Sequence, residues 1–368
     1  MKMKERDYLI ILYDYYGDLL SADNRRYFED YYKAFLIVLV VVGHFIEVAS
    51  DDNVVMETTK WIIFSFHMPA FVFISGYFSK KTQGIYKLLQ QLVVPYLVFE
   101  ILYYILYTYI LNRDTELAFL YPKFSLWYLL AMFMWKMITP LFRRLPGYLW
   151  IAFVLGLFVG ASSLDDNYLT LPRMFTFYPF FLLGMDLDRN RIDLLRARIR
   201  RMWAFGIFLA INAFLAWVAV SDRISIKIFY GRYDYEYLGL SVPMGIALRA
   251  ACYLISYIMI YVVAIMIPGA KNSLSALGQK TMAIYLFHGL IFAVFRRGEI
   301  WYQSLGEIVE DAILVEASIG TIWLLCQRPF VAFTDWVTHI PMPLLQKIAS
   351  FGFIGRLEKL RGVGQQKL

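Results

Sequence analysis

Cysteine and histidine are both scarce in this chain. Among 368 residues there are two cysteines, Cys252 and Cys326, and each lies in an apolar stretch of a different candidate membrane span. This placement gives no support to a disulfide framework or to a metal site built from thiolates. We expect no resident metal ion.

Charged residues are also few, at 18% of the chain, whereas hydrophobic residues make up 60%. The mean hydropathy is +0.54, and the counts of 28 Tyr, 30 Phe and 9 Trp are far above those of soluble proteins. This composition predicts an integral membrane protein that crosses the bilayer several times. Most basic residues behind the net charge of +7 lie in short loops, so we interpret them as topology determinants and expect no nucleic-acid partner.

The chain shows no internal repeat and no low-complexity tract. Near its start there is only a short apolar run, Tyr8 to Tyr13, interrupted by Asp14, so we expect no removable signal segment. We divide the chain into an N-terminal cytoplasmic or interfacial extension (1–25), a membrane domain (26–330) and a cytoplasmic interfacial tail (331–368).

Apolar segments of spanning length predict about ten transmembrane helices in one all-α bundle. They begin near Ala34, Trp61, Leu92, Leu126, Tyr148, Arg173, Met202, Gly245, Thr281 and Ala312. Loops after the even-numbered segments are basic, and the intervening loops are acidic or mixed. By the positive-inside rule both termini are cytoplasmic, in a multi-pass protein of the cell membrane.

Three histidines fall within these apolar segments, where an ionisable side chain is costly and is a functional candidate. Lys33 and His44 are eleven positions apart, which puts them on one helix face, about 16 Å from each other. The predicted topology puts His44, His67 and His288 about 16, 20 and 12 Å from the cytoplasmic edge, so they could meet near the bilayer centre. The alternative is that each histidine is a hydrogen-bonding group in helix packing.

The pattern suggests acyl transfer. An imidazole can deprotonate a hydroxyl group near neutral pH, and a cation at the cytoplasmic mouth can hold phosphate groups. The Lys33–His44 distance is comparable to an extended pantetheine arm, so coenzyme A phosphates at Lys33 would bring a thioester near His44. Pro69 removes a helical hydrogen bond beside His67 and can free a carbonyl near residue 65. Lys33 could instead be an ordinary flanking residue of its span, paired with Asp30.

Other residues have two interpretations each. Ser75 and Gly76 either allow close helix packing or leave room for a ligand. Trp127 either belongs to an aromatic belt or stacks against a sugar, and Arg173 either anchors its span or holds an acceptor. Glu100 and Glu316 also lie in apolar stretches, and they receive no named role.

Several motifs together resemble the membrane acyltransferase-3 superfamily, over about residues 25–330. The resemblance is closest to the subgroup of fucose 4-O-acetylase and related acetyltransferases. The first two motifs are the specific ones, and the later ones follow in the expected order. The motifs are Arg26-Tyr27-Phe28-Glu29-Asp30-Tyr31-Tyr32-Lys33 with Val41-Val42-Gly43-His44, Phe66-His67-Met68-Pro69 through Ser75-Gly76-Tyr77, Pro95-Tyr96, Leu126-Trp127-Tyr128-Leu129, Arg173 with Pro179 to Gly184, and Tyr285-Leu286-Phe287-His288.

The resemblance implies ten membrane helices, an acyl-coenzyme A donor that is usually acetyl-CoA, and O-acylation of an extracytoplasmic or lipid-linked carbohydrate. Its pair of a basic residue and an essential histidine falls on Lys33 and His44, and our hypothesis is that Lys33 orients the donor while His44 acts as base or as transient acyl carrier. Many relatives have a pair of arginines before the third-span proline, whereas this chain has Lys87 followed by Leu88-Leu89-Gln90-Gln91. The second basic residue is therefore missing, so the resemblance leaves open how this chain holds the donor but not the reaction class.

Our hypothesis assigns His44, Lys33 and His67 to catalysis. It assigns Lys33, Ser75 and Lys87 to the donor, and Trp127, Arg173 and His288 to the acceptor glycan. Two alternatives remain open. A glycolipid or saccharide transporter or flippase would use the same polar bundle, although we find no inverted repeat and no paired broken helices. A non-catalytic membrane sensor or assembly partner would tolerate substitution at Lys33 and His44.

Overall fold

The computed structural model of the protein describes residues 27–49, 53–165, 167–268 and 273–339. Within these ranges every regular element is a helix and there is no β-strand, which confirms the all-α prediction for them. The predicted extension 1–25 lies outside the described residues. So does the predicted tail from residue 340 onward.

The helices are numbered in chain order, and a short 3₁₀ turn, Ile226–Tyr230, lies in the segment between α9 and α10. They are α1 (27–46), α2 (Val54–Phe64), α3 (His67–Tyr77), α4 (Ile85–Ile110), α5 (Phe124–Phe142), α6 (Tyr148–Ala161), α7 (Leu171–Asp186), α8 (Arg189–Arg198), α9 (Arg201–Ser221), α10 (Val242–Met266), α11 (Ser273–Gly278), α12 (Thr281–Phe295), α13 (Glu299–Gln303), α14 (Glu307–Leu325) and α15 (Arg328–Thr338).

Each of the ten predicted apolar segments overlaps at least one of these helices. In the described part of the chain, four helices are long and apolar enough to cross a membrane, namely α4, α5, α9 and α10. Helix α6 is apolar but shorter. The helical membrane character is thus established, whereas the count of ten spans and the side on which the termini lie stay predictions.

The second apolar segment, predicted as one span from near Trp61, is instead two helices, α2 and α3. The break has a local cause, because Pro69 has no backbone N–H to bond the carbonyl of Ser65. The Ser256 hydroxyl of α10 donates to that carbonyl at 2.6 Å. The carbonyl near residue 65 that the sequence predicted to be freed therefore bonds a neighbouring helix.

Helices α3 and α7 approach each other closely because each presents a glycine to the other. A Cβ atom on Gly76 would lie 2.0 Å from the carbonyl oxygen of Phe181, and one on Gly184 would lie 1.9 Å from that of Phe73. Real Cβ atoms do not approach so near, so only glycine allows this backbone contact. For Gly76 this geometry favours the helix-packing interpretation.

Helix α15 packs against the bundle through aromatic side chains. The ring of Phe333 lies 5.6 Å from that of Phe287 in α12 and 6.3 Å from that of Phe99 in α4, measured between centroids. The predicted tail begins at residue 331, which is inside this helix. Its first residues therefore form part of a helix that contacts α4 and α12.

Candidate active site

A cavity of about 760 Å³ lies where α1 ends, α3 and α7 begin, and α12 ends. Its volume is in the range of small-molecule sites. The wall is completed by residues 107–125 and 229–233. Its aromatic side chains are Phe64, Tyr107, Tyr121, Phe124, Trp127, Phe177, Phe229, Tyr230, Tyr233 and Phe292, and its charged side chains are Glu47, Glu116, Lys123, Arg173, Arg232 and Arg296.

His44 lies on the wall of this cavity, two residues before α1 ends at residue 46. It is thus in the last turn of α1, and its predicted depth in the bilayer stays a prediction. Its side chain is 21% exposed. The Nδ1 atom lies 3.4 Å from Oε2 of Glu47. Because a carboxylate only accepts hydrogen bonds, this contact puts the ring proton on Nδ1 and leaves Nε2 with a lone pair.

Glu47 is held from both sides. While its Oε2 faces His44, its Oε1 accepts a hydrogen bond from the Tyr230 hydroxyl at 2.9 Å. Because each oxygen of Glu47 faces a hydrogen-bond donor, the carboxylate is the favoured form beside His44.

His67 lines the same cavity as His44, from the first position of α3. Its Nδ1 donates to the carbonyl oxygen of Ile63 at 2.8 Å, and the ring of Phe64 meets it edge-on at 4.9 Å. This contact leaves Nε2 of His67 as the ring atom with a lone pair. Two of the three predicted histidines thus line one cavity.

His288 is fully buried behind His44 and is not a wall residue. The two imidazole rings are stacked, with centroids 5.4 Å apart and planes inclined by 27°. Nδ1 of His288 donates to the carbonyl oxygen of Tyr285 at 2.7 Å, whereas Nε2 is without a hydrogen-bond partner among the described residues. Phe124 covers both rings, at 4.6 Å from His44 and 5.8 Å from His288.

Trp127 and Arg173 lie together on another part of the wall. The Arg173 guanidinium is 4.9 Å from the Trp127 ring centroid, and the ring of Phe177 stacks on the same tryptophan at 5.6 Å. Trp127 begins the regular α-helical part of α5, and Arg173 lies in the first turn of α7. This arrangement offers a flat aromatic surface beside a cation, which suits a sugar or another polar ligand.

The residues predicted to hold the donor do not line this cavity. Lys33 lies near the start of α1, where its Nζ pairs with Asp30 at 2.7 Å and lies 5.1 Å from the Phe78 ring. Ser75, late in α3, contacts the hydroxyl of Tyr128, and Lys87 is exposed in the first turn of α4. Each of the three residues lies near the end of its helix that is away from the cavity, whereas His44, His67 and Tyr107 at the other ends of α1, α3 and α4 line it.

Glu100, a candidate without a role in the sequence, orders one wall of the cavity. It is completely buried, and its Oε1 accepts the backbone N–H of Lys123 at 2.6 Å. The Lys123 ammonium lies 3.6 Å from Oε2. The neighbouring Tyr96 hydroxyl donates to the carbonyl of Phe119 at 2.7 Å. Together these contacts attach the 112–123 segment to α4.

Sequence reasoning missed Glu47 and Tyr230. A local signal existed for Glu47, because it follows His44 by three positions and so lies on the same helical face. No local signal indicates Tyr230, which is 183 residues from its partner. Among the described residues, no group of three or more His, Cys, Asp or Glu side chains is arranged to hold a metal ion.

Comparison with known proteins identifies the family. The family described as "Acyltransferase domain" (acyltransferase-3) matches residues 26–326, and the chain belongs to it. The chain is 26% identical over 319 residues to "Nodulation protein NolL" of Mesorhizobium japonicum, covering 76% of this chain and 81% of that protein. It is 25% identical over 356 residues to "Nodulation protein NolL" of Sinorhizobium fredii, covering 85% and 92%. No solved structure matches it. The predicted acyltransferase-3 resemblance is confirmed, and the chain is a membrane acyltransferase.

Proposed function

We propose that the chain is an integral-membrane O-acyltransferase that moves an acetyl or other short acyl group from acyl-coenzyme A to a carbohydrate hydroxyl. The acceptor is a cell-surface or lipid-linked glycan, and the enzyme is a multi-pass protein of the cell membrane. One observation carries the proposal: His44 borders a cavity of about 760 Å³ with its Nδ1 against a carboxylate. Membership of the acyltransferase-3 family supports the reaction class.

His44 acts as the general base in this proposal. Its Nε2 takes the proton of the acceptor hydroxyl while the hydroxyl oxygen attacks the thioester carbonyl. The carbon–sulfur bond then breaks, and the imidazolium returns its proton to the departing thiolate. The products are an O-acyl ester and free coenzyme A. In the alternative route His44 carries the acyl group for a short time, and the hydroxyl attacks that intermediate.

The donor would approach from the opposite end of α1. Lys33 and His44 are on one unbroken helix, and eleven positions correspond to about 16 Å along its axis. An ammonium group is suited to the phosphates of coenzyme A. The proposal therefore puts the phosphates at Lys33, with Lys87 and Ser75 near the same end, and the thioester near His44.

The acceptor would occupy the cavity itself. Its wall combines aromatic side chains with cationic and hydroxyl-bearing ones, which is the mixture that a sugar ring and its hydroxyl groups require. Trp127 and Arg173 supply a stacking surface, and His67 offers a ring nitrogen to a sugar hydroxyl. His288 backs the His44 ring, so its assignment to the acceptor stays a prediction.

The proposed use of acyl-coenzyme A as donor can be tested on purified protein in detergent, even though the acceptor is not identified. We would measure coenzyme A binding by calorimetry and acetyl-CoA hydrolysis by thiol release. Lys33→Ala is expected to weaken binding about 10- to 100-fold, since it removes a charge-assisted contact. His44→Ala is expected to retain binding and to lose hydrolysis.

Two variants serve as matched controls for these losses. Arg328→Ala removes an exposed cation at the start of α15, and His339→Ala removes an exposed histidine at its end. Both are expected to behave as wild type. If folded wild-type protein neither binds coenzyme A nor hydrolyses acetyl-CoA, the proposal is wrong, and saccharide flux in vesicles becomes the next measurement.

A further inference from the structure

Three side chains, two at the end of α1 and one from the 226–230 turn, form one hydrogen-bonded line at the cavity. His44 Nδ1 lies 3.4 Å from Glu47 Oε2, and Tyr230 donates to Glu47 Oε1 at 2.9 Å. Each carboxylate oxygen thus has its own partner, so the carboxyl group cannot turn without losing a contact. The Tyr230 ring is also stacked on Phe64 at 5.0 Å, which holds its hydroxyl in place.

The main chain keeps the first pair together. Helix α1 ends at residue 46, and the backbone N–H of Glu47 donates to the carbonyl of His44 at 3.3 Å. The side chains at these two positions therefore lie one turn apart on the same face. The ionisable groups that face Glu47 are His44, His67, Tyr230 and Lys60.

This arrangement determines which nitrogen of His44 can accept a proton. A carboxylate accepts from Nδ1–H and so favours the tautomer in which Nε2 has the lone pair. The same negative charge stabilises the imidazolium that forms when Nε2 takes a proton. Without Glu47, nothing else in the described contacts of His44 holds the proton on Nδ1.

We infer that Glu47 is a positioning residue that sets the His44 tautomer, and that Tyr230 positions Glu47. The inference rests on the proposed function, in which Nε2 of His44 is the base. It adds that the 226–230 turn, far away in the sequence, controls the reactivity of α1. In this scheme Glu47 acts through His44 and makes no contact with the reacting atoms.

The first measurement uses ¹⁵N NMR of the wild-type protein labelled on its histidine rings, with the His44 signals identified by their loss in His44→Ala. We expect a protonated Nδ1 and an unprotonated Nε2 near neutral pH. An Nε2 that carries the proton in wild type would overturn the inference. This readout needs no active enzyme, so it is independent of the proposed function.

The second measurement follows acetyl-CoA hydrolysis in variants of the line. Glu47→Ala is expected to lower kcat about 10²- to 10⁴-fold, the size of a general-base contribution, without changing KM for acetyl-CoA. The NMR signals should then show the proton moving to Nε2. Glu47→Gln keeps an acceptor for Nδ1, so its kcat should be higher than that of Glu47→Ala. Tyr230→Phe should have a kcat about tenfold below wild type.

Glu307→Ala, which removes an exposed carboxylate in the first turn of α14, is the control and should change neither kcat nor the tautomer. If wild type is active and Glu47→Ala keeps both its kcat and its His44 tautomer, the role of Glu47 is refuted while the proposed function stands. A wild type that is inactive towards acetyl-CoA would count against the proposed function, while its tautomer could still be measured.

Discussion

Replacement of Gly76 by alanine tests the packing that positions the cavity. The added Cβ would lie 2.0 Å from the Phe181 carbonyl oxygen, which is main chain and cannot swing away like a side chain. Helices α3 and α7 would therefore have to separate. Overpacking typically costs about 1–3 kcal/mol, and a contact with backbone favours the upper end of that range.

Gly206→Ala in α9 is the matched control, because a Cβ there would meet nothing within 4 Å. The same substitution should stabilise that helix by about 0.5–1 kcal/mol through backbone entropy. The same Gly→Ala change is thus expected to lower the free energy of unfolding at position 76 and to raise it at position 206. Thermal unfolding in detergent should show a midpoint lower by a few degrees for Gly76→Ala, and one equal to or above wild type for Gly206→Ala.

Gly76→Ala should also affect activity, because α3 and α7 both contribute to the cavity. His67 begins α3, Arg173 lies in the first turn of α7, and both line the cavity, so separation of the helices changes its shape. Hydrolysis of acetyl-CoA by Gly76→Ala should therefore fall even at temperatures where the protein stays folded. Unchanged stability in Gly76→Ala would refute the close α3–α7 contact on which this reasoning depends.

Two further predictions concern buried polar contacts. Ser256→Ala leaves the buried carbonyl of Ser65 without its donor and should cost about 1–3 kcal/mol in unfolding by denaturant. Lys123→Met leaves the buried Glu100 without its cation and should destabilise by a similar amount, whereas removal of both partners by adding Glu100→Leu should recover part of the loss.

Local sequence patterns predicted several parts of the structure because they depend on neighbours along the chain. Each of the ten predicted apolar segments in the sequence coincides with at least one helix in the structure. Pro69 indicated that the carbonyl of Ser65 would lack its helical hydrogen bond, and this carbonyl accepts from Ser256 instead. The i,i+3 spacing indicated the Asp30–Lys33 ion pair, which is present at 2.7 Å. The break between α2 and α3 was missed as a boundary, since hydropathy does not distinguish one apolar helix from two.

The candidate site was predicted only in part. His44 and His67 do share a cavity, and Trp127 with Arg173 borders it. The depths of the three histidines in the bilayer stay predictions, whereas the stacking of the His44 and His288 rings agrees with their being at a similar level. The line through Glu47 to Tyr230 could not be predicted, since its last contact joins residues 183 positions apart.

By itself, the sequence determined the membrane class, the location of most of the long helices and the alignment of Lys33 and His44 on one helix, because composition and helical periodicity are properties of contiguous residues. The tertiary structure alone decided that Glu47 faces His44 with Tyr230 behind it, and that Arg173 lies over Trp127. These contacts depend on how helices from distant parts of the chain pack, and the approach allowed by Gly76 and Gly184 is one example. A pattern along the chain can say which side chains share a helical face, but only packing in three dimensions decides which faces meet.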